Sequence, residues 1–426
     1  MKVSSNGRTL IKDDNHFFYL ADTCWSAFTN IEEGEWDQYL SKRKAQGFNT
    51  LQINIMPQWD ASEALNERTP FVYDESGNVD FTKLDDTYFE HAREMCIKAR
   101  EDGFELSLVA LWCNYIPGTW ANAFPKNRVT FPISFLEKYS EYIVKYFGDL
   151  VSLFMISGDT DFNETSAEFY INMSKLLRSE LPDVLQTMHI KGRYDYIPVE
   201  IDDLIDIYFY QSGHNNSDRK IPFKLAESFY NRSNIKPIIN SEPCYEQMGF
   251  SRRQYGRWSQ LDVRRAAWES VLSGAAAGIT YGAAGIYSWH RDSSGFMEDL
   301  GEGFDTPQSW SNALNFPGAE DYGRLKRILE VFEIENIVPY QRLLESDKEG
   351  VRVGRSENYL LVYMPYNTQL ELNKEFKIES KGSLVFDLSN SDTKPLNIFE
   401  TNNKIFINQH NYLNDVLILI KIKEKI

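Results

Sequence analysis

The sequence predicts an α/β protein, a (β/α)8 TIM barrel followed by a small C-terminal antiparallel β-sandwich. Short apolar runs alternate with longer amphipathic stretches up to about residue 340, which is typical of βα repeats. From about Pro339 the helical periodicity ends, and short β-rich runs separated by Asn, Asp, Gly and Ser follow. The first strand leads into Ala21–Trp25 and not into G-x-G-x-x-G, which argues against a doubly wound dinucleotide-binding sheet.

Each barrel strand is predicted from a short apolar run, and each helix from apolar residues at the helical period. The expected strands are Phe17–Trp25, Thr50–Met56, Glu105–Trp112, Val151–Asp159, Leu185–Ile190, Leu204–Tyr210, Pro237–Glu242 and Ile279–Trp289. The expected helices include Glu35–Gln46, Asp85–Asp102, Ser134–Phe147, Thr165–Leu181, Asp218–Asn231 and Asp262–Gly274.

Two domains are predicted. Residues 1–339 form the barrel, with an N-terminal hairpin that caps its floor, and residues 340–426 form the sandwich. The hairpin is indicated by the turn dipeptide Asn6-Gly7. In the sandwich, Val416–Ile420 is apolar at every position, as in a strand that is buried on both faces. We therefore expect the sandwich to dock against the barrel flank and to be structural.

Composition and charge exclude several classes of partner. The chain has 426 residues with 45 Lys and Arg against 62 Asp and Glu, a formal net charge of -17 that repels nucleic acid and anionic membrane surfaces. No run approaches the roughly 18 apolar residues of a membrane span, and Met1–Asp14 has no apolar leader core. The four cysteines stand far apart without C-x-x-C, which favours reduced thiols and a cytoplasmic location. The oligomeric state stays open.

The residues that end the predicted strands point to a sugar site. Catalytic groups of a barrel project from the carboxyl ends of its strands, and here those ends carry aromatic, amide and carboxylate side chains with almost no Lys or Arg. Aromatic rings stack on the C–H faces of sugars, while carboxylates and amides bind their hydroxyl groups. The expected substrate-binding residues are Asp22, Trp25, Asn54, Gln58, Trp59, Trp112, Asn114, His189, Tyr210, His214, Tyr245, Tyr287 and Trp289.

Two strand-end acids suit glycoside hydrolysis, which needs one carboxyl group to protonate the leaving group and a second that is ionised. Asp159 ends the fourth predicted strand and Glu242 the seventh, so they face each other across the barrel mouth. From the residues alone, either acid could instead cap a helix or pair with an arginine. One of Arg264 and Arg265 is expected to brace a site carboxylate such as Asp22 or Glu242.

Other site chemistries are disfavoured. The six histidines show no H-x-x-x-H or H-x-H spacing, so no zinc site is expected. Asp159–Asn163 begins like a calcium-binding loop, but Glu164 and Tyr170 stand where that loop needs Gly and Glu. No G-x-S-x-G nucleophile motif occurs. We expect no metal and no cofactor. The rival hypothesis is a non-catalytic carbohydrate-binding protein on a barrel scaffold.

Six segments that follow one another along the chain carry a family resemblance. They are Asp22–Trp25, Ser157–Asp159, Asn240–Glu246, Asp262–Trp268, Ser273–Gly282 and Ile286–Trp289. With them the sequence resembles the apiosidase-like family of glycoside hydrolases over roughly residues 5–425.

The resemblance implies a barrel with a C-terminal sandwich, with Asp159 as the general acid/base and Glu242 as the nucleophile. The family usually has Gly-Gly-Asp where this chain has Ser157-Gly158-Asp159, so Asp161 and Glu164 in the same loop remain alternative acids. We accordingly expect a retaining, exo-type glycoside hydrolase that acts on oligosaccharides derived from plant cell walls.

Overall fold

A computed structural model describes residues 1–58, 62–124, 129–252, 254–296 and 304–425. Its centre is a sheet of eight parallel strands, labelled β1 to β8 in chain order. They are β1 (Tyr19–Thr23), β2 (Thr50–Asn54), β3 (Glu105–Trp112), β4 (Leu153–Gly158), β5 (Leu185–Thr187), β6 (Tyr208–Gln211), β7 (Ile238–Glu242) and β8 (Gly278–Tyr281).

The sheet closes on itself almost completely. Its strands are hydrogen-bonded in the order β5-β4-β3-β2-β1-β8-β7-β6, so the last strand pairs with the first. Across the remaining seam, the backbone N–H of Asp206 donates to the carbonyl of Gln186 at 2.8 Å. The predicted (β/α)8 barrel is therefore confirmed.

Helices surround the barrel. They are α1 (Ala27–Asn30), α2 (Glu33–Ala45), α3 (Asp86–Glu101), α4 (Phe135–Phe147), α5 (Glu164–Glu180), α6 (Val199–Asp202), α7 (Ile221–Tyr230), α8 (Gln260–Leu272), α9 (Trp310–Ala313) and α10 (Gly318–Val331), with 3-10 turns at Cys113–Tyr115 and Gln341–Leu343. None of the helices in the described ranges has the length and apolarity needed to cross a bilayer.

Strand β8 is much shorter than predicted. It ends at Tyr281, and the chain then turns through Ala283–Trp289 instead of continuing to Trp289 as a strand. At Gly282 the Tyr245 ring occupies the place of a side chain, because a Cβ there would lie 2.0 Å from its Cδ1 atom. Gly285 has a φ of +106°, which an L-residue with a side chain rarely adopts. Both glycines allow the chain to leave the sheet early.

Small antiparallel sheets lie outside the barrel sheet. The N-terminal strands lie against the chain that enters β7, since Gly7 contacts Ile235 and Arg8 donates to the carbonyl of Tyr230. The small strands are Lys2–Val3, Leu10–Lys12 and Asn15–Phe17 in one antiparallel sheet, the hairpin of Phe71–Tyr73 with Val79–Leu84, and the hairpin of Gly249–Phe250 with Gln254–Arg257.

The C-terminal part is antiparallel, as predicted. One sheet contains Val338–Pro339, Arg352–Arg355, Tyr359–Met364, Val416–Lys425, Phe376–Asp387 and Thr393–Pro395, and the other contains Leu370–Asn373, Lys404–Ile407 and Ile398–Glu400. The first sheet starts just before residue 340, and the domain division at that residue stays a prediction.

The predicted double-sided strand is confirmed by how its residues pack. Leu417 and Leu419 belong to the same apolar core as the barrel, whereas Val416, Ile418 and Ile420 belong to the core between the two small sheets. Because successive side chains of a strand point to opposite faces, one strand takes part in both cores. The sandwich therefore packs on the barrel through a buried apolar face.

Candidate active site

Glu242 ends strand β7 and is almost fully buried at the carboxyl end of the barrel. His214 Nε2 lies 2.8 Å from its Oε1, and His189 Nε2 lies 3.3 Å from its Oε2. Burial acts to raise the pKa of the Glu242 carboxyl, but its contacts with the two imidazoles outweigh burial and hold that pKa well below its usual range. Glu242 is thus kept ionised, as a nucleophile requires.

Asp159 follows strand β4 directly and has a left-handed backbone, with φ of +50°. Such a conformation is rare for a residue with a side chain and is often found at functional sites. The backbone N–H of Asp159 donates to Nδ1 of His189 at 3.1 Å. The preceding Gly158 lies against Trp112, where a Cβ would be 2.3 Å from the indole. This close approach explains a glycine before the acid.

Aromatic rings enclose these groups. The Trp25 ring lies 5.1 Å from that of Trp112 and 5.4 Å from that of His189. On the other side, the ring of Tyr245 lies 4.5 Å from that of His214. The Tyr245 hydroxyl accepts from the Trp25 indole N–H at 3.1 Å, and both burial and the neighbouring Glu242 carboxylate raise its pKa. The result is a buried acid site with aromatic walls.

Tyr287 completes the Tyr245 side of this wall, at 5.5 Å between ring centroids. The structure thus brings together eight of the predicted site residues: the two acids, and six residues that contact one of them or belong to the aromatic cluster. These are Asp159, Glu242, Trp25, Trp112, His189, His214, Tyr245 and Tyr287.

Three residues predicted to bind substrate have their polar groups bound inside the protein instead. Asp22 is fully buried, and its Oδ2 accepts from Arg43 Nε at 2.6 Å and from the Tyr39 hydroxyl at 2.8 Å. The Tyr210 hydroxyl donates to a helix carbonyl at 2.8 Å, and the Trp289 indole N–H donates to a glutamate at 2.9 Å. A sugar hydroxyl would have to displace these partners, so we do not include Asp22, Tyr210 or Trp289 in the proposed site.

The predicted amides lie at the ends of β2 and β3. Asn54 donates to Gln58 Oε1 at 3.0 Å, and both residues are nearly buried. Asn114 is buried in the 3-10 turn after β3. Trp59, the other aromatic expected there, lies outside the described residues. Substrate binding by Asn54, Gln58 and Asn114 stays a prediction.

The expected arginine brace is wrong. Arg264 binds Asp321 and Asp415, and Arg265 binds Glu269, so neither contacts Asp22 or Glu242. Arg43 on α2 holds Asp22, while imidazoles hold Glu242. The partners of Arg264 lie 57 and 151 positions away in the sequence, and local spacing does not report such pairs.

The loop after β4, residues 159–164, also contains Asp161 and Glu164, the two alternatives to Asp159 as the general acid. Asp161 forms an ion pair with Lys191 at 3.0 Å and accepts the backbone N–H of Trp120 at 3.1 Å, and Glu164 is exposed at the start of α5. Trp120, which sequence reasoning missed, also donates its indole N–H to the Asp159 carbonyl at 2.7 Å. It lies well beyond the end of β3, so a list of strand ends could not include it.

The described part of the chain contains no group of three or more His, Cys, Asp or Glu side chains able to hold a metal ion. All four cysteines are buried, and none of them forms a disulfide.

Comparison with known proteins gives a family and a fold. Residues 4–336 match the family described as "Apiosidase-like, catalytic domain", and no curated protein matches the sequence. A solved structure named "Glycoside hydrolase" aligns with a TM-score of 0.80 at 19% identity, covering 99% of this chain and 96% of that one. A glycoside hydrolase family 5 structure from Bacteroides vulgatus aligns with a TM-score of 0.81 at 22% identity, covering 99% and 92%. At these identities the structural matches show the fold.

Proposed function

This chain belongs to the family of apiosidase-like catalytic domains and is a glycoside hydrolase, and from that premise we propose that it is a retaining, exo-acting enzyme. Its nucleophile is Glu242 and its general acid/base is Asp159. The observation that carries the proposal is the contrast between these acids: Glu242 is buried and kept ionised by two imidazoles, while Asp159 lies in a left-handed turn whose backbone N–H donates to His189, one of the same imidazoles.

The two acids divide the reaction between them. A Glu242 oxygen attacks the anomeric carbon while the bond to the leaving oxygen breaks, and Asp159 supplies the proton that this oxygen takes up. Water then attacks the glycosyl-enzyme ester, Asp159 removes the proton of that water, and Glu242 leaves as a carboxylate. In a retaining enzyme the two carboxyl groups stand about 5 Å apart, and we expect that separation here.

The substrate class is proposed from the lining of the site. Trp25, Trp112 and Tyr245 provide ring faces and edges for the C–H surfaces of a sugar, and the amides of Asn54 and Gln58 lie at the same end of the barrel. We propose oligosaccharides derived from plant cell walls, pectic ones among them, as substrates. The four buried cysteines, none of them in a disulfide, fit a reducing cytoplasm, where such oligosaccharides would arrive by import.

The test begins with a panel of aryl glycosides and pectic oligosaccharides, assayed with the wild type, Asp159→Ala and Glu242→Ala. With an activated aryl leaving group, Asp159→Ala should keep glycosylation fast and slow the overall turnover. Azide should rescue it and give a glycosyl azide of retained configuration. Glu242→Ala should be nearly inactive on every substrate, and any azide product should be inverted.

Asp161→Ala is the matched control, because Asp161 lies in the same loop but is bound to Lys191. It should show no azide rescue. Proton NMR of the first product formed by the wild type should show the anomer of the substrate. Near-wild-type turnover by Glu242→Ala, an inverted first product, or azide rescue of Asp161→Ala instead of Asp159→Ala would overturn the assignment.

A further inference from the structure

We propose that His189 is a positioning residue for both carboxylates at once, acting as a neutral imidazole that carries its proton on Nε2. Its Nδ1 accepts the backbone N–H of Asp159 and its Nε2 faces Glu242. The inference rests on the proposed roles of Asp159 and Glu242, and it adds the group that sets the position of one relative to the other.

The hydrogen bonds define the tautomer. A backbone N–H can only donate, so the 3.1 Å contact from Asp159 requires a lone pair on His189 Nδ1, and the ring proton must be on Nε2. His214 shows the same arrangement, because the backbone N–H of Tyr245 points to its Nδ1 at 3.4 Å. The Nε2–H of His214 then reaches Oε1 of Glu242 at 2.8 Å, whereas Nε2 of His189 faces Oε2 at 3.3 Å, a contact whose geometry falls outside that of a hydrogen bond.

His189 is held rigidly enough to transmit position. The residue is completely buried, and its ring packs beside those of Trp25 and Trp112, with centroids 5.4 and 6.1 Å away. Its own backbone N–H donates to the carbonyl of Ser157, and its carbonyl accepts from the backbone N–H of Thr160, both at 3.3 Å. The chain that follows β5 is thus hydrogen-bonded to Ser157 and Thr160, which lie on either side of Asp159 in the sequence.

The link has a mechanical consequence. The left-handed backbone of Asp159 is intrinsically unfavourable, and the hydrogen bond to His189 is one of the contacts that maintain it. The other nitrogen of the same ring, Nε2, lies 3.3 Å from the proposed nucleophile Glu242. The imidazole of His189 therefore fixes the orientation of Asp159 relative to the position of Glu242.

Two conservative substitutions separate the two contacts. In His189→Asn the amide oxygen can replace Nδ1 as acceptor for Asp159, but the donor to Glu242 is lost. In His189→Gln the amide nitrogen can replace Nε2 as donor to Glu242, but the acceptor for Asp159 is lost. Loss of one charge-assisted or positioning hydrogen bond should reduce the affected step by about 10- to 100-fold.

The expected results therefore differ in their dependence on the leaving group. His189→Asn should lower kcat/KM for activated and unactivated glycosides alike, because it weakens the nucleophile. His189→Gln should preserve kcat/KM for activated aryl glycosides and lose it for substrates that need a proton. His290→Gln is the matched control, since His290 is also buried but binds Ser62, and its kcat/KM should stay near that of the wild type.

A spectroscopic measurement tests the proposal without activity. Long-range ¹⁵N–¹H correlation spectra of histidine-labelled wild type should show His189 and His214 as neutral Nε2–H tautomers at neutral pH. An Nδ1–H tautomer or an imidazolium at His189 would overturn the proposal, even if neither variant folds. Equal losses on both substrate types in both variants would also overturn it.

If Asp159→Ala and Glu242→Ala contradict the carboxylate roles while the tautomers are as expected, the proposed function fails and the histidine geometry stands.

Discussion

We predict that replacing Arg264, which lies between the barrel and the sandwich, strongly lowers the free energy of unfolding. Arg264 projects from α8 and is buried, with Nε 2.9 Å from Oδ2 of Asp415 in the sandwich and Nη1 2.7 Å from Oδ2 of Asp321 on α10. Asp415 also accepts the hydroxyl of Tyr363 at 3.1 Å. Arg264→Met keeps the apolar stem and removes the cation that binds Asp415, while Asp321 keeps its second ion pair, with Arg324 at 2.6 Å.

The magnitude follows from burial. Asp321 and Asp415 are 3% and 1% exposed, so they cannot regain hydration when the guanidinium is removed. Removing one partner of a buried ion pair costs about 3–5 kcal/mol. At about 2.1 cal/mol/K of unfolding entropy per residue, a chain of 426 residues loses about 1 °C in Tm per kcal/mol, so we expect a decrease of about 3–6 °C.

Thermal and urea unfolding measure the effect, and a second variant identifies its source. Asp415→Asn should be much less costly in the Arg264→Met background than alone, because the charge it removes is already unpaired there. The loss in Arg264→Met should shrink at acidic pH, because burial already raises the pKa of Asp321 and removing one of its two cationic partners raises it further, so that Asp321 binds a proton in the folded state.

Lys44→Met is the surface control. Its ion pair with Asp102 is about half exposed on both sides, and such pairs contribute at most about 1 kcal/mol. A loss in Arg264→Met no larger than that of Lys44→Met, or strict additivity with Asp415→Asn, would refute the reasoning.

Four further predictions follow from other contacts. Burial raises the pKa of Glu246 from 4.5 to about 6. The folded state therefore holds its proton more tightly, and the stability of the wild type relative to Glu246→Gln should fall by about 2 kcal/mol between pH 4 and 7 in urea titrations. Gly282→Ala should destabilise the protein by about 1–3 kcal/mol and lower activity, because its Cβ meets Tyr245, whereas Gly34→Ala, with no atom within 4 Å, should cost nothing in the same unfolding assay. Deleting residues 340–426 should give insoluble or unstable protein, because the barrel would expose the apolar face now covered by the sandwich; a soluble, fully active barrel would contradict this. Dialysis against a chelator should leave the rate unchanged, since the carboxyl pair performs both proton transfer and nucleophilic attack; a loss restored by zinc or calcium would contradict this.

The sequence by itself determined the elements and the face on which the site lies. Strand β3 has the bounds predicted for it, and the apolar Val416–Ile420 run packs into two cores as its pattern required. The sequence reports these features because side chains alternate between the two faces of a strand, and because repeated βα units place the carboxyl ends of all barrel strands at the same end. For the same reason the residues predicted from the strand ends include both proposed catalytic acids, Asp159 and Glu242, and the histidines that contact them, His189 and His214.

Only the tertiary structure decided which strand-end side chains meet. Asp22 near the end of β1 and Glu242 at the end of β7 look alike in the sequence, yet Asp22 pairs with Arg43 of α2 and Glu242 faces His189 and His214. Arg264 pairs with Asp415, which lies 151 positions away in the sequence. Partners so far apart are set by how the barrel closes and how the sandwich docks on it, and burial then makes each contact strong because water no longer competes for the charge.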